Sequence, residues 1–166
     1  MNTSKNSTIR VAPVDAPLRL ALLGLHVRPA QRDWVGAIAD LLADVAQCTD
    51  SEPMAILQGD VPVGYYRLEP NGRSVARRDF GMPSLGLRAF FIDACRQGRG
   101  LGALALAALI VDVVERHPQA RLLALTVNCD NHVALQLYLH AGFTDSGELY
   151  HGGRCGPQRL LLCVLP

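Results

Sequence analysis

Apolar and polar positions follow two rhythms along the chain, and the changes of rhythm mark its elements. "TIRVAP" (8–13) reads as a first strand after a polar start, residues 1–7, expected to be flexible. From Asp15 to Gln47 apolar residues recur at helical spacing: Leu18, Leu20, Leu22 and Leu23, then Trp34, Val35, Ile38, Leu41, Leu42 and Val45. Two helices separated by the break "RPAQRD" are predicted. "PMAILQ" and "VPVGYYRLE" flank Gly59-Asp60 and predict a hairpin. A loop-like stretch, 70–83, leads to the strand "LGLRAFFID" (85–93), a glycine loop, and a long apolar helix from Gly100 to Glu115 closed by His117-Pro118. "RLLALTV" (121–127) is an unbroken apolar run, hence a buried strand. "NHVALQLYLHAG" (131–142) places Val133, Ala134, Leu137, Tyr138 and Ala141 on one helical face, with Gly142 as its stop. "FTDSGEL" and "QRLLLCVL" read as closing strands.

The order β-α-α-β-β-β-α-β-α-β-β predicts an α/β or α+β fold in one domain, residues 8–166. Strand 85–93, the long helix and strand 121–127 form a β-α-β unit, in which parallel pairing is expected. The length of 166 residues suits one domain burying roughly 70% of its unfolded surface. A net charge of +1 gives no electrostatic footprint for nucleic acid or an anionic membrane. Fifteen of the sixteen basic residues are Arg, a bias that genome composition explains and that also suits phosphate recognition. The five cysteines form no C-x-x-C pair and leave an odd number, as expected of reduced thiols in a cytoplasm. The first ten residues lack the apolar core of a secretory leader. The run Leu101–Val111 is too short for the about 20 residues that span a bilayer.

The loop "RQGRGLGALALA" (96–107) carries the candidate chemistry. Gly98, Gly100 and Gly102 let the backbone approach a ligand closely, and the helix that follows directs free N–H groups and its positive dipole end at an anion. No Gly-Lys pair occurs, so a P-loop is excluded. "GRGLGA" formally satisfies the dinucleotide pattern G-x-G-x-x-A, with Asp130 ending the next strand. Against an NAD(P) site stand the four residues Ala94–Gln97 before the first glycine and the short chain that follows. A glycine turn that merely packs strand on helix is the bland alternative.

"QGRGLG" also matches Q/R-x-x-G-x-G/A, and "LTVNCDNHVALQLYLHAGF" (125–143) follows it as strand, Asn-bearing turn, a helix with Leu-Tyr, then Gly-Phe. Together they resemble the two signature motifs of the GNAT superfamily of acyl-CoA-dependent N-acetyltransferases. The resemblance implies a single-domain GNAT-like fold, a mixed twisted sheet of about six to seven strands with helices on both faces. It implies acetyl-CoA as cofactor, a small-molecule amine as acceptor, and homodimers as a family-level expectation. Gln97, Gly98, Arg99, Gly100, Leu101, Gly102 and Ala103 would hold the pyrophosphate of coenzyme A. Phe91, Ile92 and Asp93 would contact its pantetheine arm, with the Ile92 N–H polarising the thioester carbonyl. Asn131 stands where the family's helix touches the cofactor arm; Asn128 is a second candidate for that contact or, instead, the cap of that helix. Tyr138 is the implied general acid for the departing thiolate.

The family often carries a Glu on the strand before the glycine loop; residues 84–92 hold none. The attacking amine must be neutral, so a base is needed; Glu69 and Asp93 are the fallback candidates for it, and a non-catalytic acyl-CoA sensor becomes an alternative. "LHVRPAQRDWVG" (25–36) resembles the first-helix region of bacterial polyamine-type acetyltransferases, through Gln31-x-x-Trp34-Val35. A cationic acceptor would need carboxylates, for which Asp33, Glu69 and Glu148 are candidates. No metal is expected: His132 and His140 lie two helical turns, roughly 12 Å, apart, too far to share one ion. Cys95, near the loop, is expected to be a small packing residue.

Overall fold

In the computed structural model, which describes residues 8–166, seven strands form one mixed sheet in the order β1-β2-β3-β4-β5-β7-β6. The strands are β1 (Ile9–Pro13), β2 (Glu52–Gln58), β3 (Val61–Glu69), β4 (Ser84–Ile92), β5 (Leu122–Asn128), β6 (Thr144–Tyr150) and β7 (Gln158–Val164). The helices are α1 (Ala16–Leu22), α2 (Arg32–Val35), α3 (Ile38–Val45), α4 (Arg73–Ala76), α5 (Leu101–Arg116) and α6 (His132–His140). The expected flexibility of residues 1–7 lies outside the described residues. β4 and β5 are the parallel pair, joined by α5; the other pairings are antiparallel.

The unbroken apolar runs arise because the central strands are covered on both faces. In β2, Met54 and Ile56 pack toward α5, and Ala55 and Leu57 toward α1 and α3. The α5 face buries Leu101, Ala105, Leu106, Leu109 and Val113. On the other face Leu22, Ile38 and Leu42 meet Tyr65 and Phe91.

Two segments differ from the sequence pattern. Trp34 and Val35 form a separate single turn, α2, because Gly36 at φ +94° breaks the helix before α3 begins at Ile38. The stretch 70–83 contains the turn α4: Asn71 Oδ1 accepts from the Ser74 N–H at 3.0 Å, and Val75 is buried against Ala124 and Leu160. Cys95 is exposed and is not a packing residue.

Candidate active site

The site begins with a defect in β4. Arg67 of β3 faces Arg88 and Tyr65 faces Phe91, so Ala89 and Phe90 together oppose the single residue Tyr66. This is a β-bulge, and Ala89 takes φ +54°, a conformation ordinarily left to glycine. On its other side β4 pairs with β5 only over Ser84–Gly86 against Leu122–Ala124. Beyond Gly86 the strands part, and the rest of β5 pairs with β7 alone. The Asp93 N–H donates to Val63 O at 2.8 Å. Main-chain groups alternate along a strand, so those of Ile92 face the gap. The Ile92 carbonyl accepts from Gln97 Nε2 at 2.8 Å, leaving its N–H at the open edge.

The glycine loop closes one end of the gap. Gly98 and Gly100 both sit at φ +76°, and a Cβ added to either would meet nothing within 4 Å, so open space lies over both. Gly100 is the N-cap of α5, with no side-chain cap and no acidic residue in the first turn. The first-turn amides are therefore left for an anion. Gly102 serves packing instead: a Cβ there would stand 3.1 Å from Leu137 Cδ2, so glycine lets α5 lie against α6. Gln97 braces the loop, donating from Nε2 to Gln31 Oε1 at 2.9 Å as well as to Ile92.

Two cavities meet at the gap. A groove of about 620 Å³ is lined by Phe91, Ile92, Gln97, Gly98, Gly100, Leu101, and by Gly102, Ala103, Asn131 and Tyr138. Arg28 and Arg96 also line it, and no carboxylate does. A smaller pocket of about 120 Å³ adjoins it, with Asp33, Trp34, Asn128, Arg154, Cys155 and Gln158 among its walls. Val35, Phe90, Asn131, Ala134 and Tyr138 border both. Tyr138 is held edge-on by Phe90 at 6.1 Å and Phe143 at 5.7 Å between ring centres. Burial pushes its phenol well above the ordinary value of 10.0. The roof of the small pocket is tied down by Cys155 Sγ, which donates to Asp33 O at 3.1 Å.

Several expected site residues stand elsewhere. The buried Asp93 turns its carboxylate to the His26 N–H at 2.9 Å and is absent from the groove wall. Arg99 does not line the groove. Asn128 borders only the small pocket, and it is not the cap of α6: it donates to Cys155 O at 2.8 Å and accepts from the Asp130 N–H. Asn131 caps α6 through the Ala134 N–H at 3.3 Å, being the residue that immediately precedes the helix. Glu69 lines neither cavity; it faces Gly86 before the bulge, with Oε1 2.7 Å from Arg67 Nε and Oε2 accepting from Ser51 Oγ at 2.6 Å. Glu148 is paired with Arg78 at 2.9 Å. Asp33 is the one of the three candidate acidic residues that borders the small pocket. Arg28, Arg96 and Phe90 were missed from the sequence. Arg96, next to Gln97, was within reach of a local reading; Arg28 arrives from a distant segment and left no local signal.

The acetyltransferase (GNAT) family profile matches residues 20–143. The spermine/spermidine N(1)-acetyltransferase of Bacillus subtilis (strain 168) is 32% identical over 156 residues, covering 88% of this chain and 94% of that protein. Among solved structures, the aminoglycoside acetyltransferase AAC(6')-Ib in complex with coenzyme A superposes with a TM-score of 0.72 at 20% identity, covering 95% of each chain. An aminoglycoside N(6')acetyltransferase from Legionella pneumophila gives 0.74 at 14% identity, covering 98% of this chain and 95% of its own. These two likenesses show the fold.

Proposed function

Because this chain belongs to the acetyltransferase (GNAT) family, and so is an acetyl-CoA-dependent N-acetyltransferase, we propose how its two cavities divide that work. The groove takes the acyl donor and the small pocket takes the acceptor amine, a linear polyamine-like primary amine. The observation that carries this reading is that Tyr138 borders both cavities.

The groove fits coenzyme A by its chemistry. It offers uncapped helix amides under open space at Gly98 and Gly100, two guanidiniums, no carboxylate, and an unpaired strand edge. When bound, acetyl-CoA supplies an activated acetyl thioester. The amides of Gly98–Ala103 hold its pyrophosphate, with Arg28 and Arg96 adding charge. The N–H of Ile92 receives the negative charge that develops on the thioester oxygen. Tyr138 would give its proton to the departing thiolate; burial disfavours its phenolate and so opposes that transfer, and the role rests on its place at the junction of the two cavities. Asp33 draws a distal ammonium of the polyamine chain into the small pocket, against Trp34, while the attacking amine enters neutral and, once acylated, gives up its proton to the Tyr138 phenolate. Phe91, Gln97, Leu101, Gly102 and Asn131 shape the donor groove; Glu69, Asp93, Arg99 and Asn128 have no direct part in donor binding or proton transfer.

The polyamine reading is supported by the Bacillus subtilis relative and by Asp33 in the pocket wall. The reading also takes residues 8–166 as one catalytic domain. Five unpaired cysteines support a reducing, cytoplasmic setting, and homodimer assembly follows the family resemblance. Among the described residues no helix is long and apolar enough to cross a membrane. Thiol release from acetyl-CoA is the direct test, run across linear polyamines, aminoglycosides and amino acids. Polyamines should give the highest kcat/KM, and Asp33→Asn should raise KM for them. Preference for an aminoglycoside or amino acid would remove the polyamine assignment, and release with no amine would remove the division of the two cavities.

A further inference from the structure

Glu69 is 5% exposed and Arg67 9%, an unusual depth for charges remote from both cavities. Their placement explains them. Arg67 and Arg88 lie directly opposite one another on β3 and β4, so two guanidiniums share one face at adjacent positions. Like charges so placed repel and push strands out of register. The Glu69 carboxylate is two residues along the same face. Its Oε1 stands 2.7 Å from Arg67 Nε and 3.4 Å from Arg88 Nε, and its Oε2 accepts from Ser51 Oγ. Arg67 is further paired with Asp44 on α3, and Arg88 donates to the Ser74 carbonyl on α4. The next residue after Arg88 is Ala89, the bulge residue at φ +54°.

We propose that Glu69, bridging Arg67 and Arg88, is a positioning residue: it fixes the register of β4 immediately before the bulge and thereby holds the Ile92 edge where the acyl donor binds. An alanine at positive φ is held against its preference, so the segment before it must be pinned. The clamp is the pin on one side. On the other, the Asp93 N–H to Val63 O bond and the Gln97 brace to Ile92 O hold the strand. Glu69 thus acts through the backbone, without touching donor or acceptor. The inference rests on the groove being the donor site.

The test is a double-mutant cycle on the full chain. Glu69→Gln keeps the shape and removes the charge; Kd for coenzyme A by calorimetry and KM for acetyl-CoA should each rise about tenfold. In an Ala89→Gly background, where glycine takes the positive φ freely, the same substitution should change Kd and KM less than about twofold. Equal losses in both backgrounds would overturn the clamp, as would a fall in Tm with unchanged Kd and KM. Loss of the acidic limb of the kcat pH profile with KM unchanged would make Glu69 a proton acceptor instead. Arg88→Gln, at a half-exposed position, should raise KM in the same direction; an unchanged KM there also overturns the clamp. If the unaltered protein fails to bind coenzyme A at all, it is the donor-site reading that falls.

Discussion

Tyr138 sits in a buried, aromatic setting at the junction of two cavities, and none of the protein hydrogen bonds among the described residues involves its hydroxyl. A phenol so placed contributes little to packing that a phenylalanine would not. Tyr138→Phe should therefore leave Tm and the affinity for coenzyme A nearly unchanged. Steady-state kinetics should show kcat falling by about 10²-fold or more, the range for removing a general acid. An unchanged kcat would make Tyr138 a core aromatic and nothing else. Asn131 and Asn128 teach the same lesson at this scale: two asparagines three positions apart have identical chemistry. Which one caps α6 is set by where the β5 ladder with β7 ends, at Asn128 against Gln158.

Between elements, the contact that matters most is α5 on α6. Gly102 is where these helices touch, and Leu137 fills the space that a side chain at 102 would take. Tyr138 is the neighbour of Leu137, so the spacing of the two helices places the phenol. Gly102→Val brings a branched side chain against Leu137, an overpacking that costs about 1–3 kcal/mol. The variant should melt several degrees lower and lose kcat more than Gly102→Ala, whose single Cβ meets only the mobile end of Leu137. Equal kcat in Gly102→Val and the parent would separate the helix spacing from the chemistry. The sequence pattern located both helices to within a residue or two, because each has its own apolar periodicity and its own stop at His117-Pro118 or Gly142. It merged α2 with α3, because the break at Gly36 depends on a backbone angle and leaves the apolar spacing undisturbed.

For the molecule as a whole, buried tyrosines govern the alkaline limit. Desolvation raises Tyr65 to about 12, and burial raises Tyr66 and Tyr138 further. Each folded pKa lies above the unfolded value of 10, so below pH 10 both states keep the proton and stability is unaffected. Above pH 10 the unfolded chain loses protons that the folded chain retains, and stability falls as pH rises toward the folded values. The slope is about 1.4 kcal/mol per pH unit for each such tyrosine. Denaturant titrations at stepped pH should show the midpoint dropping steeply between pH 10 and 12, with phenolate absorbance appearing together with unfolding. Phenolate absorbance from these residues in a chain still folded would show that they are hydrated.

The sequence by itself determined the strands and the two long helices, the glycine cradle and the family. Periodicity, capping and backbone freedom are local properties, and glycines at 98 and 100 state a backbone requirement without reference to anything distant. Tertiary structure decided what meets what. Register put the bulge at Ala89 and parted β4 from β5 beyond Gly86; packing brought Arg28 to the large groove and Asp33 to the small pocket. It also took Glu69, a reasonable proton acceptor on paper, into a cage of Arg67, Arg88 and Ser51. A side chain's charge is written in one residue, but its partner is chosen by the fold.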